Sequence, residues 1–329
     1  MKSEFQLIQY IKSKSLALSC QPSAVRIGIG DDCAVIPKNE RTDLVITTDL
    51  LMEDVDFRVD WTTPEFLGHK ALAVSLSDVA AMGAKPAWSL LSIGIPEKVW
   101  KTDFVERFYD GWFDLAKKYN VELIGGDVSR TTDKIVVDSI VAGEVKKGKA
   151  ILRSGANVGD LIYVTGELGG AACGLKLLES GERFEKTEHK NLLLRQLQPN
   201  PQTKIGQVLG VKNLATAMID LSDGLSSDLA HLCQASKVGA KIFAGKIPFH
   251  KNLISLSKSE KEKFSQAFDG GEDFELLFTA NPENNFRLEK ELKNHSFTLI
   301  GEVTTNVETV ELVSGNESTI LQPKGFRHF

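Results

Sequence analysis

The sequence lacks any apolar run close to the roughly 20 residues that a membrane-spanning helix needs. Its richest apolar stretch, residues 71–84, is interrupted by Ser75, Ser77 and Asp78. The first residues include an acidic side chain and no long apolar core, so they do not resemble a signal peptide. We therefore expect a soluble, cytoplasmic protein that makes no membrane contact.

Cysteine is scarce and scattered. The four cysteines are Cys20, Cys33, Cys173 and Cys233, and no two of them have the spacing of a metal motif. Scattered cysteines in a chain of this length are typical of a reduced intracellular protein, where they serve as small buried apolar side chains. Their pattern agrees with the cytoplasmic expectation.

Basic residues are too few for a protein that wraps nucleic acid by bulk charge. The 39 Lys and Arg residues face 44 Asp and Glu residues, so the formal net charge is −5. A hydrophobic content of 42% argues against a disordered chain. Because a domain usually has about 100–200 residues, the 329 residues predict two domains.

Several common catalytic motifs are also missing. The sequence has no Gly-x-x-x-x-Gly-Lys-Ser/Thr phosphate loop, no His-Arg-Asp kinase loop and no Gly-x-Ser-x-Gly elbow. Gly28 and Gly30 are followed by Cys33, where a dinucleotide fingerprint needs glycine. The six histidines show no His-Glu-x-x-His spacing, which argues against zinc hydrolysis. What remains is an oxygen-ligated metal acting on phosphate.

Segments typical of strands and helices alternate along the chain, which predicts mixed α/β structure in both halves. The predicted strands are residues 44–51, 88–95, 121–124, 135–145, 161–165, 274–279, 299–303 and 307–313. The predicted helices are residues 65–82, 103–119, 169–178, 225–235 and 284–292, with loop and helix over 185–201. The basic, glycine-bearing residues 146–149 indicate a boundary. We expect one domain over 1–147 and a second over 148–329.

Six short blocks combine acidic residues with glycine, threonine or serine. They are GIGDD at 28–32, TTD at 47–49, LSD at 76–78, GGD at 125–127, IDLSDG at 219–224 and GGEDFE at 270–275. One such block alone is ordinary turn sequence. Carboxylates beside exposed backbone amides suit Mg²⁺ and phosphate together. If several of these acids meet, their mutual repulsion requires cations.

These blocks resemble those of the thiamine-monophosphate kinases, in the superfamily of aminoimidazole ribonucleotide synthetase and selenophosphate synthetase. The similar strings follow one another over nearly the whole chain: GIGDDCAVI from Gly28, TTDLL from Thr47, HKALAVSLSDVAAMGAKPAW from His69, LIGGDVSRT from Leu123, LRSGANVGDLIYVTG from Leu152, IDLSDGLSSDL from Ile219 and GGEDFELLFT from Gly270. The string around Asp78 and the pair IDLSDGL with GGEDFELLF are the most specific.

The resemblance implies a two-domain α/β (α+β) fold of the aminoimidazole ribonucleotide synthetase type. Its N-terminal mixed sheet would form a barrel in a homodimer and would bind ATP and Mg²⁺. Its C-terminal α/β domain would complete the active-site cleft. The reaction would be transfer of the γ-phosphoryl group of ATP to thiamine monophosphate, giving thiamine diphosphate and ADP, the last step of thiamine diphosphate biosynthesis.

The resemblance also implies roles for individual residues. Several Mg²⁺ ions would be held by Asp32, Thr47, Thr48, Asp49, Asp78, Asp127, Asp220 and Asp223. ATP would contact Gly126, Asp127, Arg153, Ser222 and, on a looser match, Tyr109. The thiamine phosphate would face Asp56, Glu272 and Phe326. Catalysis would depend on the metal ligands Asp32, Asp49 and Asp220, with no dedicated general base.

The chemistry of the residues agrees with this reaction. The attacking phosphate oxygen is already ionised near pH 7, so catalysis needs mostly alignment and charge neutralisation. Arg153 offers a planar fork for phosphate oxygens. Lys70 precedes Asp78 by eight residues and is either its ion-pair partner or a phosphate contact. Both possibilities are open at this point.

Three positions depart from the family pattern. Position 56 is Asp where many relatives have His, position 326 is Phe where relatives often have Trp or Tyr, and position 274 is Phe where Tyr is common. Two alternatives to the kinase activity stay open. The first is another ATP-using enzyme of the same superfamily, and the second is a metal- and nucleotide-binding relative without turnover.

Overall fold

The computed structural model describes residues 4–18 and 25–326, so Cys20 lies outside the described residues. Its strands are β1 (Ala34–Pro37), β2 (Thr42–Met52), β3 (Lys85–Pro96), β4 (Glu122–Thr131), β5 (Val136–Lys146), β6 (Leu161–Thr165), β7 (Ala217–Asp220), β8 (Gly239–Phe243), β9 (Leu276–Ala280), β10 (Phe297–Thr304), β11 (Val310–Ser314) and β12 (Glu317–Ile320). Its helices are α1 (Glu4–Leu18), α2 (Pro64–Ala81), α3 (Glu97–Trp100), α4 (Phe104–Tyr119), α5 (Gly170–Glu179), α6 (Lys190–Leu197), α7 (Thr203–Lys212), α8 (Leu225–Ser236), α9 (Lys251–Leu256), α10 (Glu260–Phe268) and α11 (Asn285–Glu291). Within these described ranges, every helix is too short or too polar to cross a membrane.

The strands form two sheets, one in each half of the chain. The first has the order β1-β2-β5-β3-β4, in which only β3 and β4 run parallel. The second has the order β12-β11-β8-β10-β6-β9-β7, in which only β8 and β11 run parallel. The predicted mixed α/β structure of both halves is therefore confirmed.

Strand β2 has one buried face and one exposed face. Its side chains alternate along the strand, so Thr47 lies on the buried side and Thr48 on the exposed side. Because successive side chains of a strand point to opposite faces, Asp49 shares the face of Thr47. The first sheet thus directs Thr47 and Asp49 toward the helices that cover it.

Helix α2 is the central element of the molecule. Thr63 caps its first turn by accepting a hydrogen bond from the backbone N–H of Phe66, and Pro64 occupies the first helical position. The helix packs against the first sheet, α4 and α7. A Cβ atom at Gly68 would lie 1.9 Å from the carbonyl oxygen of Phe108, so the close crossing with α4 requires glycine there. Since α2 is buried nearly all around, each polar side chain on it needs a partner.

Two of the differences between the sequence-based expectations and the structure concern β4 and α7. The strand predicted over 121–124 continues as β4 to Thr131, so the GGD block lies inside a strand and not in a turn. Helix α7 was not predicted, and its two glycines are residues of low helix propensity. A Cβ atom at Gly206 would lie 2.2 Å from the carbonyl oxygen of Ala80 on α2, so packing between helices explains the glycine.

Candidate active site

Three aspartates from distant parts of the chain meet at the junction of the two sheets. Asp32 lies in the loop before β1, Asp78 on α2 and Asp220 at the end of β7. A carboxylate oxygen from each lies within 4.8 Å of one from each of the other two. This is the spacing at which one cation contacts all three, so three of the acids predicted to converge do come together.

Hydroxyl groups orient these carboxylates. Thr47 Oγ1 donates to Asp78 Oδ2 at 2.5 Å, and Ser77 Oγ donates to Asp220 Oδ2 at 2.6 Å. Ser75 Oγ donates to Asp49 Oδ2 at 2.7 Å, which brings Asp49 beside the cluster. The two serines were not predicted, although Ser75 lies three residues before Asp78 and therefore shares its helix face.

Arg153 contacts the two aspartates of the GIGDD block, Asp31 and Asp32. Its Nε and Nη2 atoms donate to Asp32 Oδ1 at 3.0 and 2.5 Å, and its backbone N–H points to both oxygens of Asp31 at 3.3 Å. The other oxygen of Asp32 is buried and accepts no hydrogen bond from any described residue. An unpaired buried carboxylate oxygen is costly, so Asp32 Oδ2 is an available ligand atom.

Burial raises the pKa values of the acids in this cluster. Desolvation, reinforced by the charge of Asp32, raises the pKa of Asp31 and of Asp220 to about 7. Desolvation also raises the pKa of Asp49 to about 6 and that of Asp78 well above its usual value. Buried carboxylates in mutual contact bind protons strongly when no cation is present. An all-oxygen donor set with one oxygen unpaired fits Mg²⁺.

Thr48 and Asp127 lie away from the cluster. Thr48, on the exposed face of β2, donates its hydroxyl to Asp138 at 2.6 Å. Asp127 is exposed on β4, the edge strand, where it is in register with Ser92 and contacts Ser129 at 3.4 Å. Three strand spacings separate β4 from β2, which amounts to about 14 Å. Within one copy of the chain, Asp127 therefore does not join the other predicted ligands.

Two predicted ATP contacts also lie apart. Gly126 is on β4, where a Cβ atom would lie 1.9 Å from the carbonyl oxygen of Leu91. Tyr109 lies on α4, and its ring packs against Phe108 and Phe113 at centroid distances of 5.6 and 6.0 Å. Their predicted contacts with ATP stay predictions, because the described contacts of both residues are with neighbours remote from the acidic cluster.

A cavity of about 1070 Å³ opens between the two domains next to this cluster. The part of its wall next to the cluster includes Asp49, Ser222 and Asp223, and we call this part the acidic end. Its other walls are largely apolar and include Phe57, Trp61, Val74, Leu178, Leu197 and Phe274. The three predicted substrate residues, Asp56, Glu272 and Phe326, all line this cavity. With cations held at the acidic end, the space would accept a ligand with an anionic end and a ring-bearing end.

The GGEDFE block forms one wall of the cavity through an unusual backbone. Glu272 and Phe274 have φ values of 67° and 49°, in the left-handed region that non-glycine residues rarely adopt. The Glu272 N–H donates to the Ser222 carbonyl oxygen at 2.8 Å, and the Asp273 carboxylate accepts from the Gly169 N–H at 2.6 Å. Such strained residues persist only when the surroundings hold them, and they cluster at functional sites.

Arg195 and Thr165 both contact Glu275, the last residue of the GGEDFE block that forms this wall. Arg195 Nη2 donates to Glu275 Oε1 at 2.9 Å, and Thr165 Oγ1 donates to Glu275 Oε2 at 2.6 Å. At the C-terminal side, the Phe326 N–H donates to the Asp223 carbonyl oxygen at 3.2 Å, which brings the half-exposed Phe326 ring to the cavity. No local sequence pattern points to Arg195, since its hydrogen-bond partners Glu167 and Glu275 lie 28 and 80 residues away.

Family models, curated proteins and solved structures match nearly the whole chain. The models of the AIR synthase related protein N-terminal and C-terminal domains match residues 30–145 and 157–313. The thiamine-monophosphate kinase of Bacillus subtilis (strain 168) is 38% identical, with 99% of each chain covered. That of Escherichia coli (strain K12) is 40% identical, with 93% of this chain and 92% of the relative covered. A solved structure of AaThiL complexed with AMPPCP and TMP superposes with a TM-score of 0.85 at 34% identity, covering 99% of this chain and 97% of the other.

Proposed function

The chain belongs to the thiamine-monophosphate kinase family of the AIR synthase related proteins, and on that premise we propose that it phosphorylates thiamine monophosphate with ATP to give thiamine diphosphate and ADP. One observation carries the proposal: Asp49, which lies beside the acidic cluster, lines the same cavity as the predicted substrate residues Asp56, Glu272 and Phe326. The N-terminal domain (1–147) would contribute metal ligands and the dimer contact. The C-terminal domain (148–329) would complete the cleft.

The acidic end of the cavity would align two phosphates. Asp32, Asp49, Asp78, Asp220 and Asp223 would hold several Mg²⁺ ions, which neutralise phosphate charge when they are bound. Arg153 keeps Asp32 oriented and presents a guanidinium to the same region. The acceptor oxygen is already ionised, so no side chain has to remove a proton. This accounts for the many carboxylates that the described residues bring to the site.

The other walls would select the acceptor. With its phosphate at Asp49 and Asp223, thiamine monophosphate would place its rings toward Phe326, Glu272 and Asp56. An aromatic ring such as that of Phe326 packs on flat heterocycles. Asp56 already accepts a hydrogen bond from the Met52 N–H at 2.8 Å, so at this position a fixed carboxylate replaces the histidine of many relatives.

The direct test is a product assay. With ATP and Mg²⁺, we expect thiamine monophosphate to give thiamine diphosphate and ADP in equal amounts. Unphosphorylated thiamine should give far less product, because it lacks the anionic end that the metals align. Mass spectrometry of the products separates the outcomes. ADP formation without thiamine diphosphate would contradict the proposal and favour another ATP-using activity of the same superfamily.

We further propose that the protein is a homodimer formed through the first sheet. Strand β4 is an edge strand, and Ile124 and Val128 are 54% and 52% exposed on it. Leu50, on the exposed face of β2, is 57% exposed. A second copy would cover these apolar side chains and complete a barrel. We propose that Gly126 and Asp127 act at this interface, in the site of the other copy.

Replacing Ile124 and Val128 together by Glu should convert the dimer into a monomer, because two charges would be buried at the interface. Sedimentation velocity measures the mass of each species. Val211→Glu, at a 62% exposed position on α7, is the matched control and should leave the mass unchanged. A wild-type protein that sediments as a monomer at micromolar concentration would contradict the proposed dimer.

The compartment that we propose is the cytoplasm. Cys33, Cys173 and Cys233 are all buried free thiols, with no disulfide among the described residues. Burial raises the pKa of the Cys233 thiol to about 12, so it stays an unreactive thiol. Such thiols are typical of proteins from a reducing compartment.

A further inference from the structure

Lys70 is a buried cation on the central helix. Its side chain is 5% exposed, and its ammonium nitrogen lies 2.6 Å from Glu272 Oε1 and 3.5 Å from the carbonyl oxygen of Asp56. Among the described residues, these contacts replace the pairing with Asp78 that the sequence left open. A buried ammonium group is costly unless it is paired and hydrogen-bonded. The Lys70–Glu272 ion pair is therefore needed whenever Lys70 is buried as it is in this structure.

Glu272 is held from a second direction as well. Its other carboxylate oxygen accepts a hydrogen bond from Gln196 Nε2, on α6. Gln196 is buried, whereas the Glu272 side chain keeps 28% of its surface exposed in the cavity wall. One carboxylate is thus held between Lys70 of the N-terminal domain and Gln196 of the C-terminal domain, on a backbone that is itself in the left-handed region.

We propose that Lys70 and Gln196 are positioning residues that fix the Glu272 carboxylate for the ring end of the acceptor. This inference rests on the proposed function. Each carboxylate oxygen accepts more than one hydrogen bond, so Glu272 keeps acceptor capacity for N–H groups of an amino-substituted, cationic heterocycle. Because Lys70 and Gln196 come from different domains, the Glu272 carboxylate is correctly aimed only when the cleft is closed.

The contacts predict where a loss would appear in the kinetics. Asp32, Asp78 and Asp220 do not line the cavity wall that Glu272 forms, and the described contacts of Lys70 and Glu272 do not include them. Removing the Lys70 ammonium should therefore raise the KM for thiamine monophosphate and leave the KM for ATP nearly unchanged. A hydrogen bond to a charged group contributes enough that the rise should be roughly tenfold or more. If Lys70 had only a structural role, its removal would lower activity without raising the KM for thiamine monophosphate more than the KM for ATP.

The experiment compares Lys70→Met, Gln196→Met, Glu272→Gln and the double variant Lys70→Met/Glu272→Gln in steady-state assays with both substrates varied. We expect each single variant to raise the acceptor KM selectively. The double variant should bind the acceptor about as well as Glu272→Gln alone, since Lys70 acts through Glu272. Lys212→Met removes an exposed lysine paired with Glu291 at 3.2 Å, and this control should behave like the wild type.

Three outcomes overturn the inference. One is equal rises in KM for ATP and for the acceptor. Another is an effect of Lys70→Met that adds in full to that of Glu272→Gln. If Lys70→Met does not fold, an unchanged acceptor KM in Gln196→Met decides against the inference. A wild-type protein that makes no thiamine diphosphate overturns the proposed function instead, so the two failures are distinguishable.

Discussion

Replacing Asp220 by Asn should lower turnover of ATP and thiamine monophosphate by a factor on the order of 10³, because a metal ligand accounts for several kcal/mol of transition-state stabilisation. Asn has the shape of Asp, and its carbonyl oxygen can still accept the 2.6 Å hydrogen bond from Ser77. The change therefore removes charge and little else. Initial rates at saturating Mg²⁺ measure it, with circular dichroism as the test of folding.

The same variant should be more stable than the wild type when metal is chelated. Asp220 is buried, and desolvation together with the charge of Asp32 raises its pKa to about 7, so ionising it opposes folding. Asn at this position removes that repulsion. At pH 8 in EDTA, the unfolding temperature should rise by a few degrees, given that about 1 kcal/mol shifts it by ~2–4 °C.

An exposed aspartate provides the matched control. Asp133→Asn makes the same chemical change at a 68% exposed side chain whose partner is Lys98 at 3.6 Å. This control should alter neither turnover nor unfolding temperature. A fully active Asp220→Asn enzyme would remove Asp220 from the metal ligands. A variant that is inactive and also less stable in EDTA would point to a structural role.

Local sequence was sufficient to predict the central helix but not the edge strand. Residues 65–82 were predicted as a helix and α2 covers Pro64–Ala81, since its cap and its continuous apolar sequence are local features. Strand β4 was predicted to end at residue 124, because Gly125 and Gly126 are typical of turns. It continues to Thr131 because it pairs with β3, whose Leu91 carbonyl oxygen leaves no room for a side chain at Gly126.

In the candidate site too, contacts between distant parts of the chain could not be predicted from local sequence. The resemblance of the acidic blocks to a known family predicted that Asp32, Asp78 and Asp220 share a metal site, and the structure brings these three residues together. The alternation of side chains along a predicted strand already separates Thr48 from Asp49, although the resemblance groups the two residues. The partner of Lys70 could not be predicted, because Glu272 lies 202 residues away and the contact depends on how the two domains pack.

The metal-free protein should lose stability as the pH rises, opposite to the usual effect of carboxylates. The pKa of Asp49 is raised to about 6 and those of Asp31 and Asp220 to about 7, from an ordinary 3.8, chiefly by burial. The folded state therefore holds more protons than the unfolded state between about pH 4 and 7. By linkage, the free energy of unfolding falls as pH rises through this window.

Added Mg²⁺ should reverse this loss, and the reversal should grow with pH. Metal ligands must be deprotonated, so protons and Mg²⁺ compete for the same carboxylates. Unfolding temperatures measured from pH 5 to pH 8, with EDTA or with Mg²⁺, give the stabilisation by metal as a difference at each pH. Half-buried His69 and buried His250, whose pKa values are lowered by desolvation, destabilise the protein at low pH in both series and cancel in that difference. In Asp220→Asn the pH dependence in EDTA should be weaker, because one of the groups that titrate is gone.

A stabilisation by Mg²⁺ that is the same at pH 5 and pH 8 would contradict metal binding at these acids. Activity that survives EDTA would contradict the metal-assisted reaction.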